Sequence, residues 1–100
     1  MQKYPNKEEK KLIKAFAQLK NENEISNFLR DLLTSTEINE LAQRFQIAQL
    51  LWTTNKSYTE IAKIVNTSTT TVTRVSNWLY KESYQGYACV LKKIYGHSLR

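Results

Sequence analysis

Residues 58–79, YTEIAKIVNTSTTTVTRVSNWL, contain two helical patterns joined by a short turn, and this stretch decides the fold. In the first pattern, Ile61 and Val65 recur at the four-residue spacing that places side chains on one face of a helix. The second pattern repeats apolar residues in a similar way, at Val72, Val75 and Leu79. Between the patterns stands Asn66, which tolerates a left-handed backbone better than most residues other than Gly. The stretch therefore predicts a helix-turn-helix.

Five consecutive β-branched residues, TTTVT at 69–73, begin the second of these helices. Branching at Cβ crowds the preceding helical turn, so the run alone favours a strand. We expect a helix because packing through the apolar positions overrides local propensity. At 100° per residue along this helix, the side chains opposite the apolar face of Val72, Val75 and Leu79 are those of Thr70, Thr73, Arg74 and Asn77. Small hydrogen-bonding groups on this face fit a DNA major groove, where threonine also offers a methyl group to thymine.

Charge is distributed unevenly along the 100 residues, whose net charge is +6. Residues 1–40 hold 7 basic and 7 acidic side chains, whereas residues 41–100 hold 8 basic and only 2 acidic ones. The whole positive excess therefore belongs to the part that contains the helix-turn-helix. Such an asymmetry indicates a polyanionic partner.

The composition argues against an enzyme, a metalloprotein and a membrane protein. Cys89 is the only cysteine and His97 the only histidine, so the chain offers few ligands for a metal and no internal disulfide. We expect Cys89 to be buried and inert, and we expect no catalytic residue, metal or cofactor. Because the first residues are charged and no apolar run reaches about 18 residues, we predict a cytoplasmic protein without a membrane span.

Helical periodicity continues on both sides of the helix-turn-helix. With 2 Gly and 1 Pro, the chain lacks the turn residues of a multi-stranded sheet, so we predict an all-α fold. The pattern predicts four further helices, at residues 7–20, 25–33, 34–53 and 84–95, the third opened by the capping box TSTE. We divide this single domain into dimerisation helices, the helix-turn-helix and a last helix, at residues 1–54, 57–80 and 84–95.

The third predicted helix carries apolar residues nearly all round its circumference. One face holds Ile38, Leu41, Phe45, Ala48 and Trp52, and the other side holds Ile47, Leu50 and Leu51. Such a helix must be buried nearly all round, and a monomer of 100 residues has little protein with which to bury it. The pattern therefore predicts a homodimer.

Residues 33–79 resemble the central region of the tryptophan repressor superfamily. The matching positions are Leu33-Thr34, Arg44, Leu50-Leu51, Ser57, Glu60, TVTR at 71–74 and Ser76-Asn77, and the tail QGY at 85–87 is similar to a repressor-like branch in Gram-positive bacteria. The resemblance implies an intertwined homodimer of six helices per chain, with one reading head per subunit on a palindromic operator. Together with the polar face and the charge, it predicts DNA contacts from Thr59, Lys63, Ser68, Thr69, Thr70, Thr71, Thr73 and Arg74.

The same resemblance implies a ligand pocket. In the repressor, the indole of tryptophan lies between two arginines that match Arg44 and Arg74, beside a threonine that matches Thr34, and guanidinium groups suit an aromatic ring and a carboxylate. Where the repressor has a glycine and a serine, this chain has Val75 and Trp78, and both changes remove volume. We therefore expect a pocket filled by the protein itself and no tryptophan corepressor. The open alternative is that Trp78 is an ordinary core residue.

Together these features predict a sequence-specific transcription regulator, a repressor, that binds duplex DNA as a homodimer. Two other classes remain open. One is a helical dimerisation module that docks on protein, and the other is an RNA-binding protein that uses the same basic surface. Neither the operator nor a small-molecule effector follows from the sequence.

Overall fold

A computed structural model describes residues 3–100 of the chain. These residues form no strand and six α-helices, which are α1 Lys7–Ala17, α2 Glu22–Leu32, α3 Ser35–Thr53, α4 Tyr58–Val65, α5 Thr69–Tyr80 and α6 Gly86–Tyr95. The all-α prediction is confirmed. The chain divides within α3 into two compact units, one that ends at Ile38 and one that comprises Asn39–Arg100.

Short polar caps set the boundaries of the first helices, and two boundaries differ from the prediction. α1 ends at Ala17, three residues before the predicted end, with Gln18 as its C-cap. α2 begins three residues early, at Glu22, because the Asn21 side chain accepts a hydrogen bond of 2.9 Å from the main-chain N–H of Glu24. The polar stretch predicted as a break is therefore the first turn of a helix.

The unit that ends at Ile38 has little buried surface of its own. No residue of α1 or α2 is buried. Phe16 and Phe28 form an edge-to-face pair with ring centroids 5.1 Å apart. Several other apolar side chains of these helices are exposed, namely Leu12, Ile13, Ile25 and Leu32. A single chain thus leaves the apolar stripes of α1 and α2 partly uncovered.

Capping boxes open both α3 and α4, and the one at α3 is predicted from the sequence. At α3, the Thr34 N–H donates to Glu37 Oε1 over 2.9 Å, and the Glu37 N–H donates to Thr34 Oγ1 over 3.2 Å. At α4, Ser57 and Glu60 exchange the same pair of bonds, at 2.9 and 3.1 Å. The bonds from Thr34 lower the pKa of Glu37, and those from Ser57 lower the pKa of Glu60.

The core of the second unit joins α3, α4, α5 and α6. Its buried apolar residues are Ile47, Ala48, Leu51, Trp52, Ile61, Ala62, Val65, Val72, Val75, Leu79 and Leu91. They include every packing position predicted for the helix-turn-helix. On α3, however, Leu41 is exposed and Leu50 is only half-buried, so one chain does not bury this helix all round.

α6 differs from its prediction in start and in packing. It begins at Gly86 instead of residue 84, after Gln85 adopts a left-handed backbone with φ 57°. Leu91 is its buried residue, while Val90 and Ile94 are exposed. The prediction that Cys89 is buried is wrong, because this thiol lies on the exposed side of the helix. Across the part of the chain that the structure describes, no helix is long and apolar enough to cross a membrane.

Candidate nucleic-acid interface

The turn between α4 and α5 has the geometry that the sequence predicts. Asn66 follows α4 in the left-handed conformation, with φ 61° and ψ 56°. Its N–H donates to Lys63 O over 3.3 Å, and the next N–H, of Thr67, donates to Ala62 O over 2.9 Å. These bonds satisfy carbonyls that the end of a helix leaves without partners. Two residues later the Ser68 side chain accepts from the Thr71 N–H over 3.2 Å and opens α5.

A hydrogen bond across the helix-turn-helix holds its two helices together. The hydroxyl of Tyr58, the first residue of α4, lies 2.6 Å from the hydroxyl of Ser76 on α5. Ser76 is a buried polar side chain, at 7% exposure, and this bond gives it a partner. The pair adds a directional contact to the apolar packing of Ile61 against α5. It is not predicted from the sequence, in which the two residues lie 18 positions apart.

The outward face of α5 has the composition that the helical projection predicts. Thr70, Thr73, Arg74 and Asn77 are exposed and line one shallow depression of about 330 Å³. The Thr73 hydroxyl donates to Thr69 O over 2.9 Å, within the helix. Its proton is thereby engaged, so Thr73 offers a partner its acceptor lone pairs and its methyl group. The face can donate through an amide and a guanidinium and accept through hydroxyls.

The other predicted DNA contacts lie around this face with different exposures. Thr59 and Lys63 are exposed on α4, and Ser68 and Thr69 are exposed at the start of α5. Thr71 is half-buried, with its hydroxyl 3.1 Å from the Ser68 hydroxyl, and it lines a separate cleft. The structure therefore brings Thr70, Thr73 and Arg74 together in one depression and places Thr71 in the separate cleft, which Arg74 also lines.

That separate cleft, of about 300 Å³, lies between α3 and α5. It is lined by Glu40, Gln43, Arg44, Thr71, Arg74, Val75 and Trp78. Glu40 and Gln43 are not among the predicted pocket residues. The four-residue spacing from Glu40 to Arg44 nevertheless places Glu40 and Arg44 on one face of α3. The Gln43 side chain donates to Val65 O over 3.3 Å, which ties the cleft to the end of α4.

The two arginines of the cleft have no hydrogen-bond or ion-pair partner among residues 3–100. Arg44 is half-buried and Arg74 is exposed, and neither guanidinium forms a hydrogen bond or an ion pair with another described residue. Arg44 does act on Tyr87, whose pKa is raised by burial and lowered in part by the arginine's charge. Both guanidinium groups therefore remain free to bind an anion.

Trp78 lines this cleft. Trp78 is 39% exposed in the single chain, and its role as a pocket filler and its role as a core residue both stay predictions. It also lines an adjacent groove of about 570 Å³, together with Phe45, Tyr84 and Tyr87. Val75, by contrast, is buried. Thr34 belongs to the unit that ends at Ile38, where it caps α3, and its place in a ligand pocket stays a prediction.

Within the described residues, no group of three or more His, Cys, Asp or Glu side chains could hold a metal ion.

Two solved structures are similar to this chain over most of their length. A TrpR-like protein from Eubacterium eligens has 30% sequence identity and a TM-score of 0.78, over 90% of this chain and 91% of that one. A candidate Trp repressor from Staphylococcus aureus has 29% identity and a TM-score of 0.78, over 89% of this chain and 87% of that one. A comparison with curated proteins finds no match.

The family comparison extends over nearly the whole described chain. The family described as Trp repressor protein matches residues 7–95, a range that runs from the first residue of α1 to the last residue of α6. The six helices are therefore a Trp-repressor-like fold, and the helix-turn-helix formed by α4 and α5 lies within the matched range. The chain belongs to the Trp repressor family, a family of DNA-binding transcription regulators and not of enzymes.

Proposed function

We propose that this protein is a homodimeric repressor that recognises a palindromic operator in duplex DNA through α5. The observation that carries the proposal is the outward face of α5, where Thr70, Thr73, Arg74 and Asn77 line one depression. The opposite face of the same helix is buried through Val72, Val75 and Leu79. A helix so anchored presents short hydrogen-bonding groups that fit the edges of bases in a major groove.

Electrostatics support duplex DNA as the partner. The net charge of +6 belongs entirely to residues 41–100, which include α4 and α5. Lys63 is exposed on α4, close in sequence to the turn, where it suits a phosphate. We propose that Thr59, Ser68 and Thr69 add contacts near the start of each helix. The family resemblance implies this role for Thr59 and Thr69.

Uncovered apolar surface supports the homodimer. In one chain, large apolar side chains are exposed on all six helices, including Phe16 on α1, Ile25 on α2, Leu41 on α3 and Ile94 on α6. Exposed apolar surface of this extent is typical of an interaction site. A second copy of the chain supplies a matching surface and gives the two reading heads that a palindrome requires.

We further propose that tryptophan does not activate DNA binding. The support is the identity of two residues at the cleft, Val75 and Trp78, where the family pattern has a glycine and a serine. Trp78 and Val75 line the cleft, so their larger side chains reduce the space that it offers to a free indole. Calorimetry with L-tryptophan tests this proposal.

Selection from genomic DNA tests the main proposal against its two alternatives. The protein is mixed with genomic fragments, bound fragments are recovered from a gel shift, and their shared sequence is determined. Enrichment of an inverted repeat with half-sites about one helical turn apart supports the operator. Equal binding to every duplex at low salt contradicts it, and stronger binding to RNA or capture of a protein partner without DNA favours an alternative.

Light scattering after size-exclusion chromatography tests the dimer. At micromolar concentration the mass is expected to be twice the 11.7 kDa of the chain. A monomer with a cooperative thermal transition removes the basis for two reading heads.

A further inference from the structure

Residues 96–100, GHSLR, return to the end of α3 and bind it through several hydrogen bonds. The Trp52 indole N–H donates to Gly96 O over 2.8 Å, and the Leu99 N–H donates to Trp52 O over 3.0 Å. The Arg100 guanidinium donates through Nε to Leu51 O and through Nη2 to Lys56 O, each over 2.6 Å. We call residues 96–100 the clasp.

The clasp satisfies groups that α3 cannot satisfy itself. The last four carbonyls of a helix have no partner within it, and those of Leu51 and Trp52 belong to this set because α3 ends at Thr53. Their partners in the clasp, Arg100 and Leu99, lie more than forty positions further along the chain. A guanidinium at this end also opposes the negative pole of the helix. Arg100 therefore combines a fork of two hydrogen bonds with a favourable charge.

The clasp also reaches the end of the recognition helix. Tyr80, the last residue of α5, has its hydroxyl 2.8 Å from that of Ser98 and 3.3 Å from Leu51 O. Its ring stacks on Trp52, with centroids 6.2 Å apart and an angle of 7° between the planes. One segment thus connects the end of α3, the link to α4 at Lys56, and the end of α5.

We propose that the clasp fixes the reading head, α4 and α5, on α3, and that Arg100 is a positioning residue for operator recognition. This inference rests on the proposed DNA-binding function. The link between α3 and α4 is short and lacks helical structure at residues 54–57, so its conformation depends on contacts such as that of Lys56 O. When the clasp is open, only a fraction of molecules hold α5 at the angle that the operator needs, and the apparent affinity falls by that fraction. Binding through phosphate contacts alone requires a less precise placement of α5 than recognition of the operator does.

The experiment compares Arg100→Ala with Lys93→Ala, which removes one positive charge from an exposed side chain on α6 that makes no described hydrogen bond or ion pair. Each variant is titrated with the duplex enriched in the genomic selection and with a scrambled duplex of the same length. We expect Arg100→Ala to weaken binding to the enriched duplex about tenfold, as expected for lost bonds to a charged group. Binding to the scrambled duplex should change only as much as in Lys93→Ala. Arg100→Lys restores the charge without the fork and should recover the affinity only in part.

Exchange of the Trp52 indole N–H, followed by NMR, tests the clasp without DNA. This proton is bonded to Gly96 O and should exchange about tenfold faster in Arg100→Ala. The exposed Trp78 indole serves as the internal reference. If Arg100→Ala does not fold, Tyr80→Phe removes one hydroxyl from the same network and is measured in the same two assays.

Two results overturn the proposal. Unchanged exchange of the Trp52 proton in Arg100→Ala shows that the clasp does not hold α3. Equal losses in Arg100→Ala and Lys93→Ala on the enriched duplex show that Arg100 contributes only charge. If the unaltered protein selects no duplex at all, the proposed function fails and the positioning role fails with it, while the indole exchange still decides whether the clasp forms.

Discussion

Tyr58 and Ser76 form a hydrogen bond of 2.6 Å that joins the first residue of α4 to a buried hydroxyl on α5. The two partners differ in exposure, because Tyr58 is 37% exposed and Ser76 is 7% exposed. Water can replace the bond for Tyr58 but not for Ser76. The cost of breaking the bond should therefore depend on which partner is removed.

We expect Tyr58→Phe to lower the free energy of unfolding by about 1–2 kcal/mol, because it leaves the Ser76 hydroxyl buried without a partner. Ser76→Ala should cost less, and the double variant should recover part of the loss caused by Tyr58→Phe. Urea denaturation measures all three. Tyr95→Phe, at an exposed tyrosine of α6 with no described hydrogen bond, is the matched control. Equal costs for Tyr58→Phe and Tyr95→Phe contradict the assigned role of the bond.

The outward face of α5 yields a prediction about base preference. Thr70→Ala and Thr73→Ala should each reduce the preference for the selected operator over a scrambled duplex by ~1 kcal/mol or more. Their folding stability should barely change, because both side chains are exposed. Competition binding gives the preference, and thermal unfolding gives the control. Unaltered preference in both variants refutes the assignment of this face.

Lys63 should act in a different way from the threonines. If it contacts a phosphate, Lys63→Ala weakens binding to every duplex by a similar factor and reduces the slope of affinity against salt concentration by about one. Titration of both duplexes at several salt concentrations measures this slope. A loss confined to the operator shows instead that Lys63 reads a base.

The capping box of α4 yields a prediction about pH. Hydrogen bonds from Ser57, and then the charges of Lys56 and Lys63, hold the pKa of Glu60 below its ordinary value of 4.5. Since the folded state lowers this pKa, ionised Glu60 stabilises the protein above pH 4.5, and this contribution is lost as the pH falls through the folded-state pKa. Glu60→Gln keeps an acceptor at the cap but removes the charge.

The free energy of unfolding of the unaltered protein should therefore exceed that of Glu60→Gln at neutral pH, and the difference should vanish in acid. Glu37 has a lowered pKa for the same reason, but it is present in both proteins and its effect cancels. Urea denaturation across this pH range gives the difference directly. A constant difference shows that the charge of Glu60 plays no part in the cap.

Local signals made the reading head predictable from the sequence. The left-handed turn at Asn66 depends on neighbouring residues alone, and it lies where it is predicted. Contacts between distant positions are a different case. Trp52 and Gly96 are 44 positions apart, and no periodicity in the sequence pairs them. The clasp therefore emerges only from the structure, and so does the half-buried position of Thr71, whose hydroxyl is engaged by Ser68.

The last prediction concerns tryptophan, on which the family pattern and two residues of this chain disagree. Arg44 and Arg74 line one cleft, as the family resemblance implies, and neither forms a hydrogen bond or an ion pair with another residue among 3–100. The same cleft is lined by Val75 and Trp78, which are larger than the glycine and serine of that pattern. We expect no saturable heat when L-tryptophan at millimolar concentration is added in a calorimeter, and no rise in operator affinity. Saturable heat with a matching rise in affinity overturns this prediction.

The double variant Val75→Gly, Trp78→Ser supplies the complementary measurement. Glycine within a helix costs about 1 kcal/mol relative to alanine, so circular dichroism must first show that the variant is folded. The variant should bind the operator more weakly than the unaltered protein, because it loses the large side chain of Trp78 that lines the cleft between α3 and α5. Added tryptophan, indole or another flat ligand should restore part of the affinity, since the vacated space then accepts a ring beside Arg44 and Arg74. If each ligand leaves the affinity of the folded variant unchanged, Trp78 does not occupy a ligand's place, and the independence from tryptophan has another cause.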